Sequence, residues 1–593
     1  MNEELGVMIK TIRRQKKIPQ RILCRGVCSS PELSRFENGL REVDSFVLST
    51  LLERLGKTMN PFEMVVSVDE YHLILLRTVI QNALLTGRMD VVEDALEEYS
   101  TATEYTNKGL HEQYIGMIRA VSGYLKSRDV DACLCDLGKA MRISFSEEQD
   151  LIWELGCFSI QEYQMLLLMA YLTLEQGEDN TAEELLDRLI QCMEVREMSE
   201  GIKQAVYPKC CYLMAQLQRK KQNMEGVRNF AEKGMECLIE NGSMVYLDKL
   251  LAFRRLYRND EDTKQQIEAL EFLRSFFEER EPEEDILKIL FLDRPCEISL
   301  DSELLKDLRT ARHYTQQELG DGICARETVS CIELGRKANQ NKLRKMLTKL
   351  GVNRHTFYSY VEAEDFETYE IIREYKKNLM RGNFEQTEEV LESIARWLDL
   401  SKRVNKQFVE TARILHKIKR EKDYEGAIPK LEQCLKYTMP DYDGTISRIP
   451  YREEVIILNQ IALCRKRSGN RAKAVELYQE LYEKYEESEV LSEYHSSSQM
   501  LLYFNYFTAL EEEDRLEEAG VIAQKGMQLV LRKYRGDTAA LYLINLACVY
   551  EKQQTQEGDK LCEQCARYAY HLFKLFRCEK HCEAAKKYYD AKF

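Results

Sequence analysis

The sequence predicts an all-α chain built twice on one plan, each copy a compact helical domain followed by an array of stacked helical hairpins. Three observations predict it. Only 9 prolines and 27 glycines interrupt 593 residues rich in Leu, Glu, Lys and Gln, a balance that favours helix over sheet. Long amphipathic segments follow one another with short breaks, such as Gly177-Glu178-Asp179-Asn180, Gly382-Asn383 and Gly469-Asn470. The chain also repeats itself at about half its length. Leu23-x-x-Gly26-x-Cys28 returns as Leu319-x-x-Gly322-x-Cys324, and Glu37-x-Gly39 as Glu333-x-Gly335, at an offset of 296. Phe230-Ala231-Glu232-Lys233-Gly234-Met235 returns as Ile522-Ala523-Gln524-Lys525-Gly526-Met527, at an offset of 292. These matches divide the chain into residues 1–65, 66–285, 286–362 and 363–593, with a seam from Glu281-Pro282-Glu283 to Pro295 where proline and acid interrupt the helical pattern.

Composition narrows the class. With 44% hydrophobic and 31% charged residues the chain reads as folded rather than disordered. Its richest apolar run, Tyr163 to Leu174, falls short of the roughly 20 residues a membrane-spanning helix needs. The opening Met1-Asn2-Glu3-Glu4 lacks the basic-then-apolar order of a signal peptide, so a cytoplasmic protein is expected. The 19 cysteines are scattered through apolar helical stretches and read as reduced, buried thiols. The net charge of −15 is uneven. Residues 1–60 and 301–360 each carry eleven Lys/Arg against seven Asp/Glu, a net +4 apiece, within an otherwise acidic body. Basic islands of this kind mark an electrostatic footprint for nucleic acid.

Those islands contain the most specific motif. Ile9 and Ile12 share one face of a first helix. Gln20 opens a second, Arg21-Ile22-Leu23-Cys24, which ends at Gly26. Ser29-Ser30-Pro31 starts a third, with proline in the first turn where its missing N–H costs least, and this helix stops at Asn38-Gly39. Two short helices around a glycine-bearing turn make a helix-turn-helix, held at its angle by Leu23, Leu33 and Phe36. The second copy runs Gln316-Gln317-Glu318-Leu319-Gly320-Asp321-Gly322 to Leu334-Gly335. Both resemble the Cro/XRE-type helix-turn-helix, and Gly26-Val27-Cys28-Ser29 with Glu37-Asn38-Gly39 resembles the Rgg/PlcR peptide-sensing regulators, in which one such domain precedes about five tetratricopeptide repeats. The resemblance covers each half in order. It departs from that family in carrying two domain sets per chain.

The resemblance implies site residues. Gln20 and Gln316 would contact DNA from the start of the second helix. Ser30, Pro31, Glu32, Ser34 and Arg35 would face the major groove, with counterparts Arg326, Glu327, Thr328, Ser330 and Cys331. Arg326 suits a guanine edge, and Glu32 or Glu327 could accept from cytosine N4. Arg13 with Glu37, and Arg309 with Glu333, match an internal ion pair. Lys10, Arg14, Lys16, Lys17, Arg41, Arg336 and Lys337 are candidate phosphate contacts. Double-stranded DNA is therefore the expected partner. The two heads would form an intramolecular pseudo-dimer, unless the chain forms a homodimer.

Downstream, Ile461-Ala462-Leu463-Cys464 and Gly469-Asn470-Arg471-Ala472-Lys473-Ala474-Val475-Glu476-Leu477-Tyr478 resemble a tetratricopeptide repeat, as does Asp514-Arg515-Leu516-Glu517-Glu518-Ala519. Ala474 to Ala519 and Ala182 to Val227 both span 45 residues, longer than the roughly 34 of the standard repeat. About five hairpins per half are expected. Asn459, Asn505 and Asn545 fall on successive first helices, where a carboxamide ladder could clamp a peptide main chain. A short signalling peptide, or a partner protein, is the expected ligand.

No phosphate loop, nucleophile elbow or His-Glu-x-x-His motif occurs, and neither enzyme nor cofactor is expected. Cys562, Cys565, Cys578 and His581, with Cys582 adjoining, have spacing that would suit a structural zinc. A helix that uses cysteine freely gives the same pattern. The function expected is a ligand-controlled transcription regulator. A protein-interaction scaffold, or a repressor with a purely structural array, fits the same sequence.

Overall fold

The computed structural model describes residues 2–592 apart from 42, 60–61, 104–107, 146–148, 259, 278–284, 291–296, 337–338, 351–356, 360, 381–383 and 489–495. Among these the fold is all-α, a helical repeat solenoid with three short strands. The chain opens with α1 (Asn2–Gln15), α2 (Gln20–Leu23), α3 (Ser30–Glu37) and α4 (Ser45–Arg54), then β1 (Phe62–Val66). Local chemistry sets these boundaries. Gly26, at φ +69°, makes the turn between α2 and α3. Ser29 and Glu32 form a capping box at the start of α3, with proline in its first turn, and Asp44 caps α4.

The first array is a run of antiparallel hairpins. It pairs α5 (Val68–Leu85) with α6 (Met89–Ala102), and α7 (Lys108–Ser127) with α8 (Val130–Arg142). After the short α9 (Gln149–Leu155) come α10 (Ile160–Glu175) with α11 (Asp179–Val195), and α12 (Glu200–Lys220) with α13 (Met224–Glu240). The pair α14 (Leu247–Tyr257) with α15 (Glu261–Arg274) completes it, and α16 (Asp285–Leu290) follows. Then β2 (Glu297–Leu300) leads into a second compact unit: α17 (Asp301–Ala311), α18 (Gln316–Gly320), α19 (Arg326–Glu333), α20 (Gln340–Lys349) and β3 (Phe357–Ser359).

The second array pairs α21 (Phe366–Met380) with α22 (Phe384–Trp397), and α23 (Arg403–Glu421) with α24 (Tyr424–Leu435). Next come α25 (Arg452–Arg467) with α26 (Arg471–Glu486), and α27 (Ser496–Glu512) with α28 (Leu516–Arg532). It ends with α29 (Gly536–Lys552), α30 (Gln556–Leu575) and α31 (Glu579–Lys592). The motif shared by the two arrays has a packing reason. A Cβ on Gly234 would stand 3.0 Å from Leu250, and one on Gly526 would strike the Tyr542 hydroxyl at 2.2 Å and its ring at 2.5 Å, so the two helices of each junction close only over glycine.

The strands are a departure from the expected layout. Their order is β2-β1-β3, with β2 parallel and β3 antiparallel to β1. The boundary expected after residue 65 falls inside β1, and the expected seam contains the helix α16.

Contacts between the halves have a mirrored register. The N-cap residues Asp44 and Asn339, and the C-cap residues Leu55 and Leu350, set β1 and β3 in correspondence at an offset of 295. The observed pairs are Phe62↔Ser359, Glu63↔Tyr358 and Met64↔Phe357. Glu63 thus faces its own counterpart, and the flanking pairs exchange positions about it. The far ends of the arrays meet in the same manner. Ser243 forms an antiparallel bridge with Arg535, again its counterpart, at an offset of 292. The last helix of each first-to-fifth hairpin set, α15 and α30, packs against the other. Glu236 receives Arg577 at 2.5 Å, and its counterpart Gln528 donates to the Phe276 carbonyl. In the strands residue i meets j′ while j meets i′, as Phe62 with Ser359 and Met64 with Phe357, which is the signature of an isologous contact.

Two cores result. One runs from the first compact unit through both arrays. The other belongs to the second unit, built on Leu305, Leu319, Val329, Met346 and Leu347, and takes in Val65 of β1 and Tyr451 from outside.

Candidate nucleic-acid interface

Both compact units assemble their third helix in the same way. The Arg13 guanidinium bonds both Glu37 carboxylate oxygens, at 2.6 and 2.8 Å, and the Ile18 carbonyl at 3.0 Å. Gln20 donates to the same carboxylate at 2.8 Å. In the second unit Arg309 bonds Glu333 at 2.5 and 3.1 Å and the Tyr314 carbonyl at 2.8 Å, and Gln316 reaches Glu333 at 2.9 Å. A bidentate pair with a third donor satisfies the buried carboxylate and locks the first three helices together. Gln20 and Gln316 are thus at least partly engaged inside the unit. On the other face of α3, Leu33 and Phe36 are fully buried, as are Val329 and Ile332 of α19.

The outward face carries the expected reading residues. Pro31 and Arg35 are exposed, and Ser30, Glu32 and Ser34 half-buried. On α19, Arg326 and Glu327 are exposed, with Thr328, Ser330 and Cys331 half-buried. Glu32 is already committed. Its carboxylate accepts from the Ser29 backbone and hydroxyl at 2.9 Å and from Arg41 at 2.7 Å. The Ser29 backbone bond, helped by Arg41, holds its carboxyl below the usual range. Accepting from cytosine would require Glu32 to surrender its cap, so Glu32 and Arg41 act first on α3 itself.

The candidate phosphate contacts divide likewise. Arg14 and Lys17 are exposed, as is Arg336, which lies beside the Cys331 sulfur. Lys10 bonds Asn38 at 2.7 Å. Lys16 points into the protein and donates to the Glu197 carbonyl of the first array at 2.9 Å, so it is a docking residue. Lys337 lies outside the described residues.

The two units are held differently. Arg54, at the end of α4, bonds the Leu23 and Arg25 carbonyls at 2.8 and 2.7 Å and pairs with Glu162 of α10, both side chains fully buried. Lys349 in the second unit bonds the Glu318 and Asp321 carbonyls at the matching turn. Glu454, the counterpart of Glu162, is taken by Arg448 of the array's own loop at 2.6 Å.

In the arrays the asparagine ladder dissolves. Asn459 is 2% exposed and accepts from the Tyr478 hydroxyl at 3.1 Å, tying its hairpin together rather than lining a groove. Asn505 donates to the Leu501 carbonyl of its own helix, and Asn545 to Thr508 of the neighbouring first helix. Sequence reasoning missed Gln164, Lys209 and Lys249, which contact α16. Their one signal was a lysine inside the apolar Val206 to Ala215 stretch.

The cysteine cluster does not converge. Among the described residues no group of three or more His, Cys, Asp or Glu is placed to hold a metal. Cys562 lies against the Tyr588 hydroxyl, Cys578 bonds the Phe576 carbonyl, Cys565 is buried and His581 stacks on Phe573. Among the described residues no helix is long and apolar enough to cross a membrane.

No protein-family model and no curated protein matches the chain. Solved structures do. PlcR of Bacillus thuringiensis, in complex with the peptide PapR7 and DNA, aligns with 98% of its chain over 48% of this one, at 17% identity and TM-score 0.33. The SHP pheromone receptor Rgg2 of Streptococcus dysgalactiae aligns completely over 49%, at 16% identity and TM-score 0.25. In the APC/C hetero-tetramer Cut9-Hcn1, 96% of the matched chain aligns over 86%, at 12% identity and TM-score 0.25. None of these assigns a role to a residue here.

Proposed function

We propose that the chain is a DNA-binding transcription regulator carrying two reading heads in one polypeptide, with the arrays as its ligand-sensing part and a short peptide as the ligand. The observation that carries this reading is the mirrored β1·β3 register, Glu63 opposite Tyr358. Heads related by a local two-fold suit two half-sites about 34 Å apart on one face of DNA. Relatives of this build obtain that symmetry by dimerising; here one chain would supply both heads. The exposed Arg35 and Arg326 on similar third helices support the reading, as does the +4 charge of each segment within an acidic chain.

The test is selection of bound DNA by the full chain, followed by light scattering of the complex. One chain per duplex is expected, on a site of two unlike half-sites, because α3 and α19 present different residues. Arg326→Ala should relax one half-site and Arg35→Ala the other, each by about 1–3 kcal/mol. A perfect palindrome bound by two chains would refute the two-head reading. Affinity that ignores salt would refute DNA contact altogether and leave the protein-interaction scaffold.

A further inference from the structure

The helix α16 lies against the inner face of the first array. Its contacts come from α10, α12 and α14, the first helices of three successive hairpins, which line the inner surface that such solenoids use for binding. Ile286, Leu287, Ile289 and Leu290 are all buried. At the amino end, Asp285 pairs with Lys249, which sits over the Tyr212 and Tyr246 rings at 4.9 and 5.3 Å. At the carboxyl end, the Gln164 amide donates to the Leu290 carbonyl at 2.6 Å and the Lys209 ammonium to the Ile289 carbonyl at 3.1 Å. An apolar segment gripped at both termini by side chains of a helical groove is the geometry of a bound peptide.

We propose that the first array contains a peptide site that the chain fills with its own α16, and that a short apolar peptide with a free C-terminal carboxylate competes for it. This rests on the reading of the arrays as the sensing part and names the ligand's chemistry. Lys209 is 1% exposed, and among the described residues it has no carboxylate within ion-pair distance. A buried ammonium against neutral carbonyls is poorly compensated. A terminal carboxylate at the place of Leu290 would supply the missing charge through charge-assisted bonds. Burial pushes the Lys209 ammonium down to about 7, as a cation lacking its counter-charge should be. The feature belongs to the first array alone, since the positions matching Gln164, Lys209 and Lys249 at an offset of 292 are Ile456, Leu501 and Leu541. Release of α16 would act on the second head, because β2, which ties that unit to β1, begins seven residues after Leu290.

The probe is the synthetic peptide Asp-Ile-Leu-Lys-Ile-Leu, as free acid and as C-terminal amide, titrated by fluorescence anisotropy. The tethered α16 competes at an effective concentration in the millimolar range. Full-length I286D/L290D should therefore bind the free acid at least 10-fold more tightly than the unaltered chain. The amide should bind about 10-fold more weakly than the acid, and K209M added to that variant should erase the difference. Hydrogen exchange on the unaltered chain gives an independent reading: saturating peptide should accelerate exchange of the 285–290 amides. The proposal is overturned by a folded I286D/L290D chain that binds no peptide, by equal affinity for acid and amide, or by unchanged 285–290 exchange. Should I286D/L290D not fold, the exchange experiment decides alone. DNA selection uses no peptide, so failure there and failure here are separate outcomes.

Discussion

Arg54 and Lys349 stand at the same place in the two compact units, and the difference between them determines how each is held. Both gather the carbonyls that end the second helix. The guanidinium still has Nε and Nη2 to offer the array as a two-point fork, which an ammonium cannot match, and Glu162 meets it in full burial. Arg54→Ala would leave the buried Glu162 without its counter-charge and should cost about 3–5 kcal/mol. Lys349 is exposed, and Lys349→Ala should stay within about 0.5 kcal/mol. Urea denaturation of the two variants checks this, and equal losses would contradict the asymmetry. At this scale the sequence was readable wherever a side chain had only one use. The Arg13–Glu37 and Arg309–Glu333 pairs were implied by the resemblance of both segments to one motif, and both form. Asn459 was not readable: an asparagine on a first helix can clamp a peptide or a neighbouring tyrosine, and only packing shows that Tyr478 reaches it first.

Among elements, the helices were legible because their period repeats over many turns, while the strands were not. Phe62–Val66 is a five-residue, largely apolar segment too short for periodicity to assign. Glu297–Leu300 and Phe357–Ser359 are shorter still, and each is a strand only because a partner more than 200 residues away supplies its ladder. The α16 helix was hidden for a similar reason, since its six residues lie in an acidic, proline-bearing seam and are fixed by array side chains. The junction of β2 with α17 carries a titration. Burial pushes the Asp301 carboxyl up to about 7, and the nearby Glu70 and Asp69 act in the same direction. From pH 4 to 7 the folded state therefore holds a proton the unfolded chain has lost, and stability falls as pH rises through that window. Asp301→Asn should melt with the unaltered chain near pH 4 and a few °C above it beyond pH 7. Calorimetry across this range tests the assignment, and a constant difference would rule it out.

For the whole molecule, the question is what two heads in one chain achieve that two free heads would not. The first unit shares its core with the arrays, whereas the second has a core of its own reached by Val65 and Tyr451. Their relation to each other therefore depends on the pairing of β1 with both β2 and β3 and on the α15·α30 contact at the far end. A fixed relation makes the second half-site contact intramolecular, which raises affinity by about 10²–10⁴ over either head alone when the spacing fits. Proline at position 64 removes a backbone donor from the middle of β1 without touching α3 or α19. Met64→Pro should leave affinity for a duplex with one half-site unchanged, and lower affinity for the correctly spaced pair by at least 10-fold. It should also flatten the dependence on spacing when base pairs are inserted between the half-sites. Anisotropy titrations on single, paired and respaced duplexes measure all three. Retention of a sharp spacing optimum by Met64→Pro would mean that the arrays alone set the distance between the heads, and the strands would then be a consequence of that distance rather than its cause.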